Sequence, residues 1–202
     1  MSIEATRQRL QRGVAALLVG VIPWLVAPGR LQPDTKIDLV VSPGRYLHRA
    51  LWAWNDHTGI GELQNQAYGY LWPMGGFFAA GDAAGIPGWA VQRAWWTLLL
   101  VVAFVGAERL ARKAGGLPTV PALLAGAVFA LSPRVLTVLA EISVEVWPYA
   151  LAPWLVLAAR TMVDRGAKGA DRRRGAVVTG LLAASVGGVN ATVSLVALVP
   201  AG

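Results

Sequence analysis

Cysteine is absent from the 202 residues, histidine occurs twice, and only 14% of the residues are charged. The absence of cysteine excludes disulfide bonds and thiolate metal sites, and His48 and His57 alone do not make a zinc centre. Hydrophobic residues make up 55% of the chain, and the mean hydropathy is +0.52. This composition is too apolar and too poor in charge for an ordinary soluble domain. We predict that lipid surrounds much of the chain.

The net charge of +7 would, taken alone, be compatible with nucleic-acid binding. Nucleic-acid-binding proteins gather their basic residues on one polar face, whereas these basic residues lie between apolar runs. The positive charge therefore indicates membrane topology, and we expect no nucleic-acid partner.

Five apolar runs predict an all-α polytopic membrane protein with spans at residues 13–27, 89–107, 117–131, 146–160 and 176–200. A helix needs about 20 residues to cross the hydrocarbon layer, so flanking tryptophans and arginines must complete the shorter spans. The fourth run contains Pro148 and Pro153, and a re-entrant segment is the alternative there. The first run lacks a small-x-small cleavage pattern and is interpreted as a retained anchor, not a signal peptide.

The distribution of basic residues predicts the orientation of the chain. The N-terminus, the loop that begins near Arg109 and the segment 160–174 contain three, three and six Lys or Arg, which is twelve of the eighteen. By the positive-inside rule these segments face the cytoplasm. The first long loop, residues 28–88, then lies outside a multi-pass protein of the plasma membrane.

An amphipathic pattern inside this loop predicts a helix. The apolar side chains at helical spacing are Tyr46, Leu47, Ala50, Leu51 and Trp54, and the basic ones on another face are Arg45, His48 and Arg49. Such a helix is expected to lie in the plane of the membrane interface. A lipid-binding face and a simple structural platform are both open interpretations.

The first candidate site is the acidic run at residues 34–38, in which Asp34 and Asp38 flank Lys36. A carboxylate can remove the proton of a sugar hydroxyl, and a nearby cation can hold a phosphate. These are the minimal needs of a transferase that uses a lipid phosphosugar. The alternative is a solvated loop in which Asp34 and Lys36 only pair with each other.

The second candidate is an alternation of amides and aromatics that begins with Gln64, Asn65, Gln66 and Tyr68. Amides beside aromatic faces suit carbohydrate, because sugar hydroxyls form hydrogen bonds while the C–H faces stack on rings. An aromatic re-entrant turn at the interface explains the same pattern.

The third candidate is the pair Glu141 and Glu145, whose spacing of four predicts a shared helix face. Like charges disfavour that arrangement unless a cation or a proton intervenes, so the pair is a candidate for a metal or for an acceptor pocket. A solvated helix end is the alternative. Further on, Asn190 lies in a charge-free run, where a buried amide is expected to bond a neighbouring helix.

Four segments carry a resemblance to a known family. They are DTKIDLVVSPGRYLHRALWAWN, GELQNQAYGYLWPMGGFF, SPRVLTVLAEISVEVWPYALAPW and GGVNATVSLVALVP. In this order, and over nearly the whole chain, they resemble the opening of the arabinofuranosyltransferase D family of mycobacteria and their relatives.

The resemblance implies a GT-C glycosyltransferase, with a transmembrane bundle and interfacial helices in the first outer loop. It implies decaprenyl-phosphoryl-arabinofuranose as donor, the arabinan of arabinogalactan or lipoarabinomannan as acceptor, and inversion at the anomeric carbon. On the family pattern Asp34 is the general base. From their positions in the sequence, Lys36 and Arg45 are expected to hold the phosphate or to position the loop, and Asp38 is expected to be a supporting acid. No residues are assigned to a metal, although a divalent cation is an open requirement.

The family also implies a cytoplasmic acyl carrier protein as a partner, which would meet the basic segment 160–174. A topology signal is the alternative role of that segment. Family members are much longer, so we expect the isolated chain to be inactive. Two other functions stay open: a transporter or flippase for lipid-linked glycans, for which the repeats expected of transporters are not seen, and a non-catalytic membrane scaffold.

Overall fold

The computed structural model describes residues 3–34, 36–56, 59–63, 67–164, 166 and 168–187. These ranges are mostly helical and contain only one very short strand pair, which confirms the predicted all-α class. Their α-helices are α1 (Ile3–Val21), α2 (Ile37–Val41), α3 (Pro43–Ala50), α4 (Gly76–Ala83), α5 (Gly88–Lys113), α6 (Thr119–Ala130), α7 (Pro133–Glu141), α8 (Val146–Val163) and α9 (Gly169–Ser185).

Short elements connect these helices. Three 3-10 turns are Ile22–Leu25, Ala67–Tyr70 and Ser143–Glu145, and a π-helical turn, Leu71–Gly75, leads into α4. One two-stranded antiparallel sheet in the described ranges pairs β1 (Trp54–Asn55) with β2 (Glu62–Leu63).

Two helical stretches of the described chain are long and apolar enough to cross a bilayer. They are α5 and Ser143–Val163, which is α8 with its preceding turn. The pair α6 and α7, bent by 41°, makes a third if it counts as one broken span. The total of five spans and the orientation stay predictions, and residues 188–200 of the last run lie outside the described residues.

The helix α5 is the centre of the bundle, because α1, α6 and α8 all pack against it. Its fully buried side chains include Trp95, Leu99 and Leu100. Glycine allows the close approach of its neighbours: a Cβ added at Gly106 would lie 2.5 Å from Nε1 of Trp154 in α8. Small residues at such crossings bring helix backbones together where lipid gives no hydrophobic driving force.

A buried ion cluster joins α1 to α5 at the opposite end of α5 from the first loop. Glu108 is 3% exposed, and its Oε1 lies 3.0 Å from Nε of Arg12 and 2.8 Å from Nε of Arg112. A carboxylate can be buried only when its charge is paired. The cluster therefore fixes α1 on α5 at the end for which the basic residues predict the cytoplasm.

The amphipathic helix predicted in the first loop is present as α3. Tyr46 and Ala50 are buried, whereas Arg45 and His48 are exposed. The aromatic ring of Tyr46 meets that of Tyr70 edge to face, with 6.3 Å between the centroids. The apolar face of α3 therefore packs on the aromatic segment that precedes α4.

The predicted extension of this helix to Leu51 and Trp54 is wrong. The helix ends at Ala50, Leu51 is 71% exposed, and Trp54 lies in β1 with its indole against Gly61. Gly61 has φ +92, a backbone conformation that residues with a side chain rarely adopt. A Cβ at this position would lie 2.5 Å from the indole of Trp54. Trp54 therefore lies beyond the helix, in a hairpin where its indole packs closely on Gly61.

Gly106→Ala is expected to lower the free energy of unfolding by about 1–3 kcal/mol, because the added methyl group collides with an indole that cannot rotate away. Trp154 is held by a hydrogen bond from its Nε1 to the carbonyl of Val102, 3.0 Å long. The measurement is the Tm of the detergent-solubilised protein. Gly180→Ala in α9 is the matched control: a Cβ at Gly180 meets nothing within 4 Å, and alanine favours a helix by about 1 kcal/mol. Equal Tm values for the two variants would contradict this account of the α5–α8 contact.

Candidate active site

The carboxylate of Asp34 is buried and held from a distant part of the chain. Asp34 lies in the irregular segment between α1 and α2 and is 6% exposed. The backbone N–H of Ser143 donates to Oδ1 over 3.3 Å, and the Ser143 hydroxyl donates to Oδ2 over 2.5 Å. Two donors on two oxygens fix both the position and the plane of the carboxylate.

The local backbone explains why Ser143 can offer both donors. Ile142, with φ −143 and ψ 65, ends α7, and the turn Ser143–Glu145 then begins a new helical stretch. The first N–H groups of a helix have no partner within it, and an acidic side chain is a favourable acceptor for them. Asp34 fills this role from 109 residues away in the sequence.

Trp95 of α5 supports Ser143 from the other side. Its indole N–H donates to the Ser143 Oγ over 3.1 Å, and both residues are fully buried. The Trp95 ring also contacts the rings of Phe77 and Trp147, with centroid distances of 5.5 and 5.9 Å. The site therefore joins the first loop, α5 and the turn before α8.

Two buried polar residues of α5, Gln92 and Arg93, fix the backbone that leads to Asp34. The Gln92 side chain accepts a hydrogen bond from the backbone N–H of Gln32 over 3.0 Å and donates to its carbonyl over 2.9 Å. Arg93 donates from Nη2 to the carbonyls of Val26 and Arg30, each over 3.1 Å. Both side chains are fully buried.

The Arg93 guanidinium has further contacts that stabilise its burial. Its Nη1 donates to Oε1 of Gln92 over 3.1 Å, and its plane lies over the Trp96 ring at 4.5 Å from the centroid. Sequence analysis missed Gln92, Arg93, Trp95 and Ser143 as site residues. A detectable signal was present, because an adjacent glutamine and arginine inside an apolar run mark a functional or structural site.

The other predicted residues of the acidic run have different surroundings. Asp38 lies at the start of α2, where its Oδ2 is 2.6 Å from Nη2 of Arg49 in α3. Both partners are partly exposed, and such a pair contributes little stability. Lys36 is half-buried next to α2, and Arg45 is exposed on α3. Their phosphate-binding role stays a prediction.

Tyr46 is next to this acidic run, and its hydroxyl is not a candidate base. Burial, together with the nearby charge of Asp38 and the hydroxyl of Tyr70, raises the pKa of Tyr46 above its ordinary value. The hydroxyl therefore stays protonated throughout the physiological range. Tyr46 is therefore excluded as the general base.

Part of the predicted carbohydrate motif falls outside the described residues, namely Gln64, Asn65 and Gln66. Tyr68 is 58% exposed, whereas Tyr70, two residues on, is fully buried. The aromatic segment therefore contributes both a surface ring and a core ring. The sugar-binding role of these residues stays a prediction.

The shared helix face predicted for Glu141 and Glu145 is wrong. Glu141 is the last residue of α7, and Glu145 belongs to the following 3-10 turn, with the non-helical Ile142 between them. The break separates two like charges that one helix would have placed together. Among the described residues, no group of three or more His, Asp or Glu side chains is arranged to hold a metal ion.

Comparison with known proteins gives concordant results. The sequence model of a family described as alpha-(1->3)-arabinofuranosyltransferase, N-terminal GT-C domain, matches residues 18–202. The alpha-(1->3)-arabinofuranosyltransferase of Mycobacterium tuberculosis is 48% identical over 177 residues, which is 87% of this chain and 12% of the relative. That of Mycolicibacterium smegmatis is 46% identical over 181 residues, covering 82% of this chain and 13% of the relative.

The fold matches as well as the sequence. The cryo-EM structure of the arabinofuranosyltransferase AftD from mycobacteria superposes with a TM-score of 0.85 at 41% identity, over 94% of this chain and 14% of that one. The class 2 cryo-EM structure of the R1389S mutant of AftD gives a TM-score of 0.85 at 42% identity, and the match covers 15% of that longer chain. The chain therefore spans a small N-terminal share of the proteins it matches.

Gln92→Leu is expected to release the backbone that precedes Asp34. The change removes both part-buried hydrogen bonds to the backbone of Gln32, at a cost of about 1 kcal/mol each. Hydrogen–deuterium exchange of the peptide covering residues 29–34 should accelerate by about tenfold or more. Gln8→Leu is the control, because the Gln8 amide donates within α1 to Glu4. Unchanged exchange in the Gln92 variant would show that the loop does not depend on this clamp.

Proposed function

Since the chain belongs to the family of the alpha-(1->3)-arabinofuranosyltransferase N-terminal GT-C domain, we propose that the protein is a membrane glycosyltransferase that transfers arabinofuranose to cell-wall arabinan. The donor is a polyprenyl-phosphate sugar, of the decaprenyl-phosphoryl-arabinofuranose type. The chain spans 12% and 13% of the length of two relatives, so activity is expected of the complete protein.

In the proposed reaction Asp34 is the general base. An acceptor hydroxyl attacks the anomeric carbon from the face opposite the lipid phosphate, and its proton passes to the Asp34 carboxylate. The bond between the anomeric carbon and the phosphate oxygen breaks, and the phosphate leaves with the electron pair. Attack from the opposite face inverts the configuration. Lys36 and Arg45 would stabilise the negative charge on the phosphate.

The observation that supports this role most directly is the fixed, buried carboxylate of Asp34 itself. It is the described first-loop acid with the lowest exposure, and its segment is held by Gln92 and Arg93 of α5. A base is effective only when it is held within hydrogen-bonding reach of the proton it removes. A solvated loop acid such as Asp82, which is exposed in α4, lacks that restriction.

The proposal includes a cytoplasmic acyl carrier protein as a partner. A cleft of about 710 Å³ between α5, α8 and α9 is lined by the bases Arg109, Lys113 and Arg174 and by two acids, Asp164 and Asp171. Arg109 lies over the Trp154 ring, 4.8 Å from its centroid. The excess of bases would favour an acidic carrier at this end of α5.

Asp34→Asn in the complete protein is expected to lower kcat for arabinofuranose transfer by about 10²–10⁴-fold, the usual contribution of a general base. The amide has nearly the same shape and can still accept a hydrogen bond, so the fold should persist. Transfer is measured with a purified membrane preparation, a polyprenyl-phosphate arabinofuranose donor and a short arabinan acceptor.

The matched control is Asp82→Asn, which removes an exposed carboxylate of the same loop and should leave transfer unchanged. Expression and Tm of both variants should equal those of the wild type. Wild-type transfer by the Asp34→Asn variant would eliminate Asp34 as the base.

A further inference from the structure

We propose that Ser143 is the positioning residue of this site, and that Trp95 sets the direction of its hydroxyl so that the Asp34 carboxylate stays oriented for proton transfer. This inference rests on the proposed function, because it assigns a role to two residues that act through the proposed base. Neither residue needs to touch the substrate.

The chemistry of the three groups fixes the direction of the hydrogen bonds. An indole N–H can only donate, so the Ser143 oxygen must act as the acceptor toward Trp95. The hydroxyl hydrogen of Ser143 is then available for Asp34, whose oxygen lies 2.5 Å away. The ionised carboxylate can only accept. In the chain of hydrogen bonds that runs from Trp95 through Ser143 to Asp34, each group therefore donates to the next.

This direction separates positioning from proton relay. The Ser143 hydroxyl donates to the carboxylate, and its oxygen is engaged by the indole. It is therefore not placed to take up the proton that Asp34 would receive from an acceptor hydroxyl. Ser143 instead takes up two of the roughly four acceptor positions of the carboxylate, one through its hydroxyl and one through its backbone N–H.

The supports of this arrangement are rigid, whereas Asp34 itself lies on an irregular segment. Trp95 is a fully buried residue of α5, and Ser143 begins the helical stretch that continues into α8. A reactive group on a loop needs support from regular elements to keep its geometry. A purely structural tether between loop and bundle is the competing explanation, and kinetics can separate the two.

The test uses the complete protein with Ser143→Ala, Trp95→Phe and the double variant. Ser143→Ala keeps the backbone donor and loses the hydroxyl, so kcat should fall by about tenfold while the KM for the lipid donor stays within about twofold. Trp95→Phe keeps the aromatic packing and loses the N–H, and kcat should fall by about threefold. Ser132→Ala is the control, because the Ser132 hydroxyl at the start of α7 is buried without a hydrogen-bond partner.

The double variant decides whether Trp95 acts through Ser143. If it does, Trp95→Phe adds no further loss to Ser143→Ala. Independent, multiplying losses, or a rise in KM with unchanged kcat, would overturn the proposal. Should Ser143→Ala fail to accumulate in membranes, a wild-type kcat for Trp95→Phe would overturn it as well.

The outcome can be told apart from a failure of the proposed function. A wild-type kcat for Ser143→Ala beside the expected loss in Asp34→Asn would remove only the positioning role. A wild-type kcat for Asp34→Asn would remove the base itself, whatever the Ser143 variants do.

Discussion

The structure depends on how α5 satisfies the backbone that leaves α1. These hydrogen bonds are part-buried, and a backbone N–H or carbonyl group that is taken from water needs a replacement partner. Gln92 pairs with both backbone groups of Gln32, and Arg93 takes the carbonyls of Val26 and Arg30. An irregular segment can therefore lie against the bundle at fixed register. These two side chains thus add four contacts with α5 to the turn hydrogen bonds that residues 26–32 make among themselves and with Pro23.

The same helix also supports the side chain of Asp34, which follows this segment. Gln92 and Trp95 are three residues apart on α5 and so lie on neighbouring positions of its surface. Gln92 holds the backbone two residues before Asp34, and Trp95 holds Ser143, which binds the carboxylate. The position of the acid thus depends on α5, and its orientation depends on Ser143, which α5 supports through Trp95. In the proposed reaction, this would let a base on a loop have the precision of a base on a helix.

Hydropathy predicts the all-α class and α5, because long apolar runs constrain the backbone directly. Asp34 became a candidate through its motif and its family resemblance. The partners of Asp34 could not be predicted in the same way, because Ser143 is 109 residues distant and the clamp by Gln92 spans 60. Helical spacing misplaced Glu145 because it assumes a continuous helix, and Ile142 breaks that helix. The same break leaves the backbone N–H of Ser143 free to donate to Asp34. The wrong prediction for Glu145 and the failure to identify Ser143 therefore have one cause.

The segment from Arg12 in α1 to Val26 is registered on α5 by polar contacts, which explains why the first loop begins at a fixed point. Glu108 pairs with Arg12 at one end, and Arg93 reaches the carbonyl of Val26 at the other. Between them, the Thr97 hydroxyl donates to the carbonyl of Gly20 over 2.8 Å and accepts from the Trp24 indole over 3.0 Å. In lipid, apolar side chains alone distinguish poorly between helix registers, whereas polar pairs do so. The position of the Asp34 carboxylate therefore follows from polar contacts made before and after the end of α1.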